Sequence, residues 1–247
     1  RSKLLRQDNM RRKSRFKKYA VWIILLAIGF FFTSAVWNIY ALVKTIPDPK
    51  RLSDRAIAQS TKIFDRTGKI LLYEIHGEEK RTIISLDKIP SSVRNATLAA
   101  EDIHFYSHHG IDVRGIIRAI GVNIINRSIS QGGSTITQQL VKKALLTDER
   151  TFSRKFKEII LALLIERKYS KDEILELYLN QIPYGSNTYG IETASKTFFN
   201  KSTSELTLAE SATLAALPNA PTYYSPYGSH RSELDERVKW ILDRMAE

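Results

Sequence analysis

The stretch "AAEDIHFYSHHGID", residues 99–112, joins the end of an apolar helical run to a polar segment that holds three histidines. Glu101, His104 and His108 follow one another at i, i+3 and i+7, so a continuous helix would place all three on one face. Three interpretations are open: a metal site, a catalytic carboxylate with its supporting side chains, or a hydrogen-bonded polar patch. The rest of the chain has to distinguish them.

The metal interpretation has little support from the surrounding sequence. A histidine pair with a carboxylate one turn earlier can bind zinc, but Gly110 and two aromatic residues disfavour a helix that continues through the pair. The other two histidines, His76 and His230, lie in very different surroundings. The chain has no cysteine, which excludes disulfides, thiolate metal sites and a cysteine nucleophile.

The acid–base interpretation fits Glu101 better. This glutamate ends an apolar helical run and is followed by Phe105 and Tyr106. An apolar wall raises the pKa of a carboxyl group from about 4.3 towards neutrality, as a general base requires. The alternative is an ordinary glutamate in solvent at the end of a helix.

Working outward, the sequence predicts a mainly α fold with a small β-hairpin stalk. The β-rich runs on either side of "DRTG" (65–68) predict a hairpin, with a third strand near Thr82–Ser85. Helical periodicity begins at Pro90. The predicted helices cover residues 91–101 and 134–146, each with a serine cap, 113–126 capped by Asp112, 151–169, 170–182, 189–199 and 207–218, the last stopped by Pro218.

The amino-terminal region predicts a membrane anchor. Residues 1–18 hold nine Lys or Arg against one Asp, and residues 19–43 contain no charge. Twenty-five helical residues can cross a hydrocarbon core of about 30 Å. The basic flank predicts a cytoplasmic tail and an extracytoplasmic remainder, and its place beside the span favours lipid headgroups over nucleic acid. The competing interpretation is a cleaved signal peptide, with "TSA" (33–35) as its processing site.

Two further segments are candidates for anion binding. In "SQGGSTITQQLVKK" (130–143), two glycines lead into a helix start whose free N–H groups favour an anion, although many ordinary helices begin in this way. In "RTFSRKFKE" (150–158), five charged residues lie within little more than two turns. They indicate either a cationic clamp for a pyrophosphate or a solvated face with an Arg154–Glu158 pair.

The segment "IIRAIGVNII" (116–125) is nearly all apolar apart from Arg118 and Asn123. It predicts either a buried core helix or a segment that dips into the outer membrane leaflet and keeps the protein close to a lipid-bound substrate.

Five stretches in order resemble the motifs of the peptidoglycan glycosyltransferases (glycosyltransferase family 51), the membrane enzymes that polymerise lipid II. "EDIHFYSHHG" resembles their E-D-x-x-F-x-x-H-x-G motif. The others are "GGSTITQQ", "RKFKEIILALLIE", "KDEILELYLN" and "RVKWIL" (237–242), the last with Ile241 in place of Val. The carboxy-terminal part is more similar to class A penicillin-binding proteins than to monofunctional homologues. His104 occupies a free position of the first motif, which weakens the zinc interpretation.

The resemblance implies a role for each matching residue. Glu101 would be the catalytic base, and Glu158 would act near the leaving group. The residues implied to bind substrate or pyrophosphate are Arg118, Ser134, Gln138, Gln139, Lys142, Arg150, Arg154 and Lys155. The residues implied to give structural support are Asp102, Phe105, His108 and Gly110. No metal ligand is implied.

The resemblance also implies the organisation and partners of the protein. It implies a lysozyme-like helical domain over residues 90–230, with a membrane-facing lobe at 111–130, a stalk at 44–89 and a carboxy-terminal helix at 231–247 that could begin a linker. Lipid II would be joined into β-1,4 glycan strands with inversion and release of undecaprenyl pyrophosphate. No cofactor is required, although Mg²⁺ or Mn²⁺ could assist at the pyrophosphate. The implied partners are lipid II, the lipid-linked glycan, the bacterial cell membrane and cell-wall synthesis or division proteins, without nucleic acid.

Two rival functions come from other classes. A lysozyme-like hydrolase or lytic transglycosylase also uses a glutamate at a helix end, but it needs no cationic clamp for a pyrophosphate. A membrane-anchored binding module would need neither the carboxylate nor the clamp.

Overall fold

The computed structural model describes most of the chain from residue 61 onward and scattered residues before it. The described residues are 26, 29–34, 36–37, 40–41, 44–49, 61–67, 71–75, 80–125, 133–146 and 151–246. The chain divides into two compact units, Arg1–Ile46 and Pro47–Glu247.

In the first unit, the described residues between Leu26 and Ala41 are helical. The basic tail and much of the predicted span 19–43 lie outside the described residues. Within the part of the chain that the structure describes, no helix has both the length and the apolarity needed to cross a bilayer. The membrane span stays a prediction.

The predicted hairpin is confirmed. Strand β1 (Thr61–Phe64) pairs with strand β2 (Leu71–Ile75) in antiparallel register, with Thr61 opposite Ile75. A second sheet has the order β3-β5-β4. In it, β3 (Lys80–Arg81) pairs in parallel with β5 (Thr188–Tyr189), and β4 (Pro183–Gly185) pairs with β5 in antiparallel register.

The prediction of a third strand near Thr82–Ser85 is wrong. The strand lies two residues earlier, at Lys80–Arg81. The backbone of residues 82–86 is hydrogen-bonded to side chains and not to a neighbouring strand. The backbone N–H of Ile84 donates to Asn180 Oδ1 at 3.0 Å, and that of Leu86 donates to Glu176 Oε2 at 2.7 Å. Helix side chains thus satisfy backbone groups that a sheet would otherwise pair.

Eight helices of the described residues build the second unit, and the mainly α prediction is confirmed. They are α1 (Ser91–Glu101), α2 (Val113–Ile125), α3 (Ile136–Leu145), α4 (Phe152–Lys168), α5 (Lys171–Gln181), α6 (Ile191–Phe199), α7 (Leu208–Ala216) and α8 (Arg231–Ala246). Short 3-10 turns lie at Leu86–Lys88, Phe105–Ser107, Thr203–Glu205 and Leu217–Asn219.

The helices pack in two groups. Helix α1 packs against α7 and α8, and α3 packs against α4 and α5. In the first group, Ala96 and Ala212 are fully buried, and such small side chains let helices approach closely. In the second group, Leu140, Leu161 and Leu175 are fully buried. These apolar faces carry the helical periodicity of the sequence, because each helix buries one stripe.

The helix caps confirm one prediction and correct two. Asp112 caps α2 by accepting a hydrogen bond from Gly115 N at 2.9 Å, as predicted. The predicted serine caps are wrong: Pro90 precedes α1 without a side-chain cap, and Thr135, not Ser134, caps α3. Thr135 and Gln138 form a reciprocal capping box, so the cap is the hydroxyl of Thr135, one residue after the predicted Ser134.

Candidate active site

A cleft of about 950 Å³ opens on the second unit between its two helix groups. Its charged lining residues include Glu101, Asp112, Arg118, Lys142, Lys143, Arg154, Lys155, Glu158, Glu233, Glu236, Arg237 and Arg244, and its aromatic lining residues include Tyr223, Tyr224 and Trp240. The predicted base and most of the predicted cations therefore share one groove.

Glu101 is the last residue of α1, and its side chain is 6% exposed. Gln139 Nε2 donates a hydrogen bond to Glu101 Oε2 at 2.6 Å. Glu101 Oε1 has no hydrogen-bond partner among the described residues and lies 3.9 Å from Arg237 Nη2. One carboxylate oxygen is therefore fixed by a hydrogen bond, and the other is buried without a hydrogen bond from the described part of the chain.

Burial raises the pKa of Glu101 above its ordinary value. The hydrogen bond from Gln139 and the charge of Arg237 act in the opposite direction, and the neighbouring Asp102 adds a small upward contribution. A carboxylate with a raised pKa and an oxygen that makes no hydrogen bond can accept a proton from a hydroxyl group.

The helix ends before the histidines, so the geometry that a zinc site would need is not formed. Asp102 is the C-cap of α1, and the chain turns into a 3-10 segment at Phe105. His104 is exposed, whereas His108 is nearly buried beside Asp102. The described residues contain no group of three or more His, Asp or Glu side chains arranged for a metal ion.

The segment after Glu101 is fixed to the start of α3. Asp102 Oδ2 accepts hydrogen bonds from Ile136 N at 3.1 Å and from His108 Nε2 at 2.9 Å. Thr135 Oγ1 donates to Gly110 O at 2.7 Å. These bonds tie residues 102–110 to the helix that carries Gln139, so the position of Glu101 and that of its hydrogen-bond donor are coupled.

Two further residues of this segment have identifiable packing constraints. Gly110 has φ +87°, and a Cβ atom there would lie 3.1 Å from the backbone of Ala162. Phe105 is fully buried, and Lys171 Nζ lies 4.3 Å from its ring centroid. A glycine and an aromatic ring at these positions let the segment lie against α4 and α5.

We call the group formed by Lys142, Arg154, Lys155 and Glu158 the cationic patch. Lys155 Nζ donates to Glu158 Oε1 at 2.5 Å and to Ser134 Oγ at 3.1 Å. Burial lowers the pKa of Lys142, and the charges of Lys143, Arg154 and Lys155 lower it further while Glu158 opposes them. Three cations against one carboxylate leave a positive excess, and such a group favours an anion.

The sequence comparisons agree with this geometry. The sequence model of the family described as Transglycosylase matches residues 68–246. The chain belongs to the transglycosylase family. The resemblance predicted from the five motifs is confirmed.

The relatives are penicillin-binding proteins. Penicillin-binding protein 1A of Aquifex aeolicus (strain VF5) is 46% identical over 231 residues, which are 94% of this chain and 31% of that protein. Penicillin-binding protein 1F of Bacillus subtilis (strain 168) is 43% identical over 236 residues, 94% of this chain and 32% of that protein. The transglycosylase chain thus spans about a third of the length of these relatives.

One solved structure shows a weaker likeness. Penicillin-binding protein 1A from Haemophilus influenzae matches with a TM-score of 0.40 and 27% identity, over 76% of this chain and 18% of that chain. A likeness of this degree does not bear on the fold.

The structure brings most of the predicted substrate-binding residues of the transglycosylase into the cleft. Arg118, Ser134, Gln139, Lys142, Arg154 and Lys155 all line it. The prediction that Gln138 lines the cleft is wrong. Its side chain is buried, and its amide oxygen accepts a hydrogen bond from Thr135 N at 3.0 Å. Arg150 lies outside the described residues, and the roles of all these residues stay predictions.

The sequence interpretation gave no role to two residues near Glu101 and its hydrogen-bond donor Gln139. Arg237 faces Glu101, and Tyr178 donates a hydrogen bond to Gln139 Oε1 at 3.3 Å. The available signal was their place in motifs, because Arg237 opens the fifth and Tyr178 lies within the fourth. Neither motif indicated which part of the transglycosylase site its residues would face.

Proposed function

We propose that the protein is a membrane-anchored peptidoglycan glycosyltransferase that polymerises lipid II into β-1,4 glycan strands. The observation that carries the proposal is the shared cleft, in which a buried carboxylate with one free oxygen and the cationic patch line the same groove. Family membership and similarity to penicillin-binding proteins support the same function.

In the proposed reaction, Glu101 removes the proton from the 4-hydroxyl of the N-acetylglucosamine on incoming lipid II. The hydroxyl oxygen attacks the anomeric carbon of the donor glycan as the bond to the pyrophosphate breaks. Attack from the face opposite an α-linked pyrophosphate gives a β-1,4 bond with inversion. The proton passes to Glu101, and the bonding electrons leave with undecaprenyl pyrophosphate.

The leaving pyrophosphate gains negative charge as its bond breaks, and fixed cations stabilise that charge. We assign this role to Lys142, Arg154 and Lys155, with Arg150 as a further candidate and Arg118 beside the phosphates of the acceptor. Glu158, buried between cations, would keep Lys155 in place.

The reaction needs no cofactor under this proposal. The cationic patch does not fit a divalent cation, because its single carboxylate is already paired with Lys155. If Mg²⁺ or Mn²⁺ takes part, its ligands would be pyrophosphate oxygens, and no step depends on it here.

We further propose that residues 19–43 anchor the protein in the bacterial cell membrane, with the amino-terminal tail in the cytoplasm and the cleft outside. The uncharged run supports an anchor, and its described side chains Phe30, Phe31 and Phe32 are 68–77% exposed. On α2, Val113 and Ile117 are 62% and 66% exposed, which supports a lobe at 111–130 that faces the membrane.

The test is a gel assay of lipid II polymerisation by the 247-residue chain. We expect glycan strands from lipid II, their loss with moenomycin, the inhibitor of the resembled family, and no cleavage of finished peptidoglycan. Cleavage of finished peptidoglycan without polymerisation would instead identify a hydrolase or lytic transglycosylase. Binding of lipid II without turnover would identify a binding module, and either result would overturn the proposal.

A further inference from the structure

The guanidinium of Arg237 is held in place by three groups around it. Arg237 Nε donates a hydrogen bond to the carbonyl oxygen of Ala216 at 3.2 Å. Its central carbon lies 5.4 Å from the ring centroid of Tyr224 and 5.7 Å from that of Trp240. The side chain is 17% exposed. A planar guanidinium that lies over two aromatic rings and is hydrogen-bonded has few orientations available, so its Nη2 points in a defined direction.

Nη2 faces the one oxygen of Glu101 that lacks a hydrogen bond. Gln139 binds Glu101 Oε2, and Gln139 Oε1 in turn accepts from Tyr178. The other oxygen, Oε1, lies 3.9 Å from Arg237 Nη2. That distance is beyond hydrogen-bonding range, so Arg237 attracts the carboxylate without occupying the lone pair that would receive a proton.

We propose that Arg237 is the positioning residue of the base: it keeps Glu101 ionised and holds Oε1, the buried oxygen without a hydrogen bond to the described residues, in place at the wall of the cleft as the proton-accepting atom. The inference rests on the proposed function and gives it a finer mechanism. The two carboxylate oxygens then have separate tasks. Oε2 fixes the orientation of the group through Gln139, and Oε1 does the chemistry.

The surroundings of Glu101 explain why such a residue is needed. Burial disfavours the ionised carboxylate, and the adjacent Asp102 adds a like charge. The buried phenols of Tyr178 and Tyr184 also face it, and their own pKa values are raised by burial, so they bring no positive charge. Gln139 contributes a neutral hydrogen-bond donor. Arg237, on α8, contributes the positive charge that favours the ionised form of Glu101.

A lysine would not reproduce this arrangement. Its ammonium group has no planar face to lie against Tyr224 and Trp240, and it carries no fixed second donor for the Ala216 carbonyl. An Arg237→Lys variant should therefore keep the charge near Glu101 but lose part of the orientation. Charge and orientation can be separated in this way by comparing two substitutions at one position.

The experiment measures kcat and KM for lipid II polymerisation from pH 5 to pH 9 in the wild type, Arg237→Gln and Arg237→Lys. For Arg237→Gln we expect kcat/KM at pH 7 to fall by at least about tenfold, because a nearby opposite charge has been removed. The loss should shrink as the pH rises, since more of Glu101 becomes ionised, and KM should change little. Arg237→Lys should keep the wild-type acidic limb with a lower kcat.

The matched control is Arg231→Gln on the same helix. Arg231 is 62% exposed, pairs with Asp235 and lies outside the cleft lining. The Arg231→Gln substitution removes the same charge as Arg237→Gln, and we expect it to leave the pH profile of the wild type unchanged. Thermal unfolding of each variant shows whether it is folded, and Arg237→Lys carries the test if Arg237→Gln does not fold.

The outcomes separate the inference from the function on which it rests. If the wild type does not polymerise lipid II, the proposed function fails. If the wild type is active and Arg237→Gln lowers the rate equally at every pH, or raises KM with an unmoved acidic limb, the positioning role is overturned. An acidic limb displaced by Arg237→Lys would overturn it as well.

Discussion

The two sides of the cleft hold their charges in contrasting ways. On the base side, formed by Glu101, Gln139 and Arg237, the carboxylate is 6% exposed and one of its oxygens is fixed by a hydrogen bond. In the cationic patch, Lys155 is 46% exposed, and Arg154 Nε has no hydrogen-bond partner among the described residues. The carboxylate is enclosed, whereas the cationic patch combines an exposed lysine with a buried arginine nitrogen that has no hydrogen-bond partner in the part of the chain that the structure describes.

The difference matches what each half of a group transfer needs. Proton removal needs a carboxylate whose orientation and pKa are fixed before the substrate arrives. Acceptance of a diphosphate needs positive charge that is not yet neutralised. Helix α3 joins the two sides, because Gln139 and Lys142 are three residues apart on one face of it. A single rigid element thus sets their spacing.

The largest effect is expected from a substitution of Glu101 on the base side of the cleft. Glu101→Gln keeps the shape of the side chain and its contact with Gln139 but cannot accept a proton. We expect the polymerisation rate to fall by at least about a hundredfold, as is typical when a general base is removed. The measurement is the initial rate with lipid II. Asp235→Asn, an exposed carboxylate on α8, is the control, and an active Glu101→Gln enzyme would contradict the assignment.

The second prediction breaks the cationic patch and leaves the base intact. Lys142→Ala removes a half-buried ammonium group from the cleft, and we expect the rate to fall by about ten- to a hundredfold, the range for a lost charge-assisted hydrogen bond. Lys239→Ala, an exposed lysine on α8, should have wild-type activity. An unchanged rate in Lys142→Ala would remove this residue from the pyrophosphate site.

The third prediction tests how rigid the base side is. Gly110→Ala puts a Cβ at φ +87°, 3.1 Å from the Ala162 backbone, where neither group can move freely. We expect the free energy of unfolding to fall by about 1–3 kcal/mol, measured by denaturant titration. Gly228→Ala, in an exposed turn without positive φ, should change it less. Equal changes would show that the segment after Glu101 is not tightly fixed.

The smallest effect is a gain of stability when the base is neutralised. The pKa of Glu101 is raised in the folded state, so the folded protein binds this proton more tightly than the unfolded chain does. Wild-type stability should therefore fall as the pH rises from the ordinary glutamate pKa towards the raised one. Glu101→Gln lacks this loss, so its advantage in unfolding free energy should grow as the pH rises above the ordinary glutamate pKa. A less stable Glu101→Gln at pH 7 would contradict the argument.

Local signals predicted much of the fold and of the site. Helical periodicity indicated the helices from Pro90 onward, because each buries one apolar stripe. The Thr82–Ser85 prediction failed because β-rich composition does not reveal that Asn180 and Glu176 will bind the backbone there. Gln138 and Gln139 are identical in type and adjacent, yet one caps a helix and the other holds the base.

By itself the sequence determined which side chains could do the chemistry: a glutamate at the end of an apolar helix, a cluster of cations and five motifs in a recognisable order. Only the tertiary structure decided which of them meet. Arg237 and Glu101 are 136 residues apart, and Asp102 reaches the backbone of Ile136. Periodicity reports which face of a helix is buried, but the partner of that face is set by packing of the whole chain. The division of work between the two oxygens of Glu101 follows from that packing.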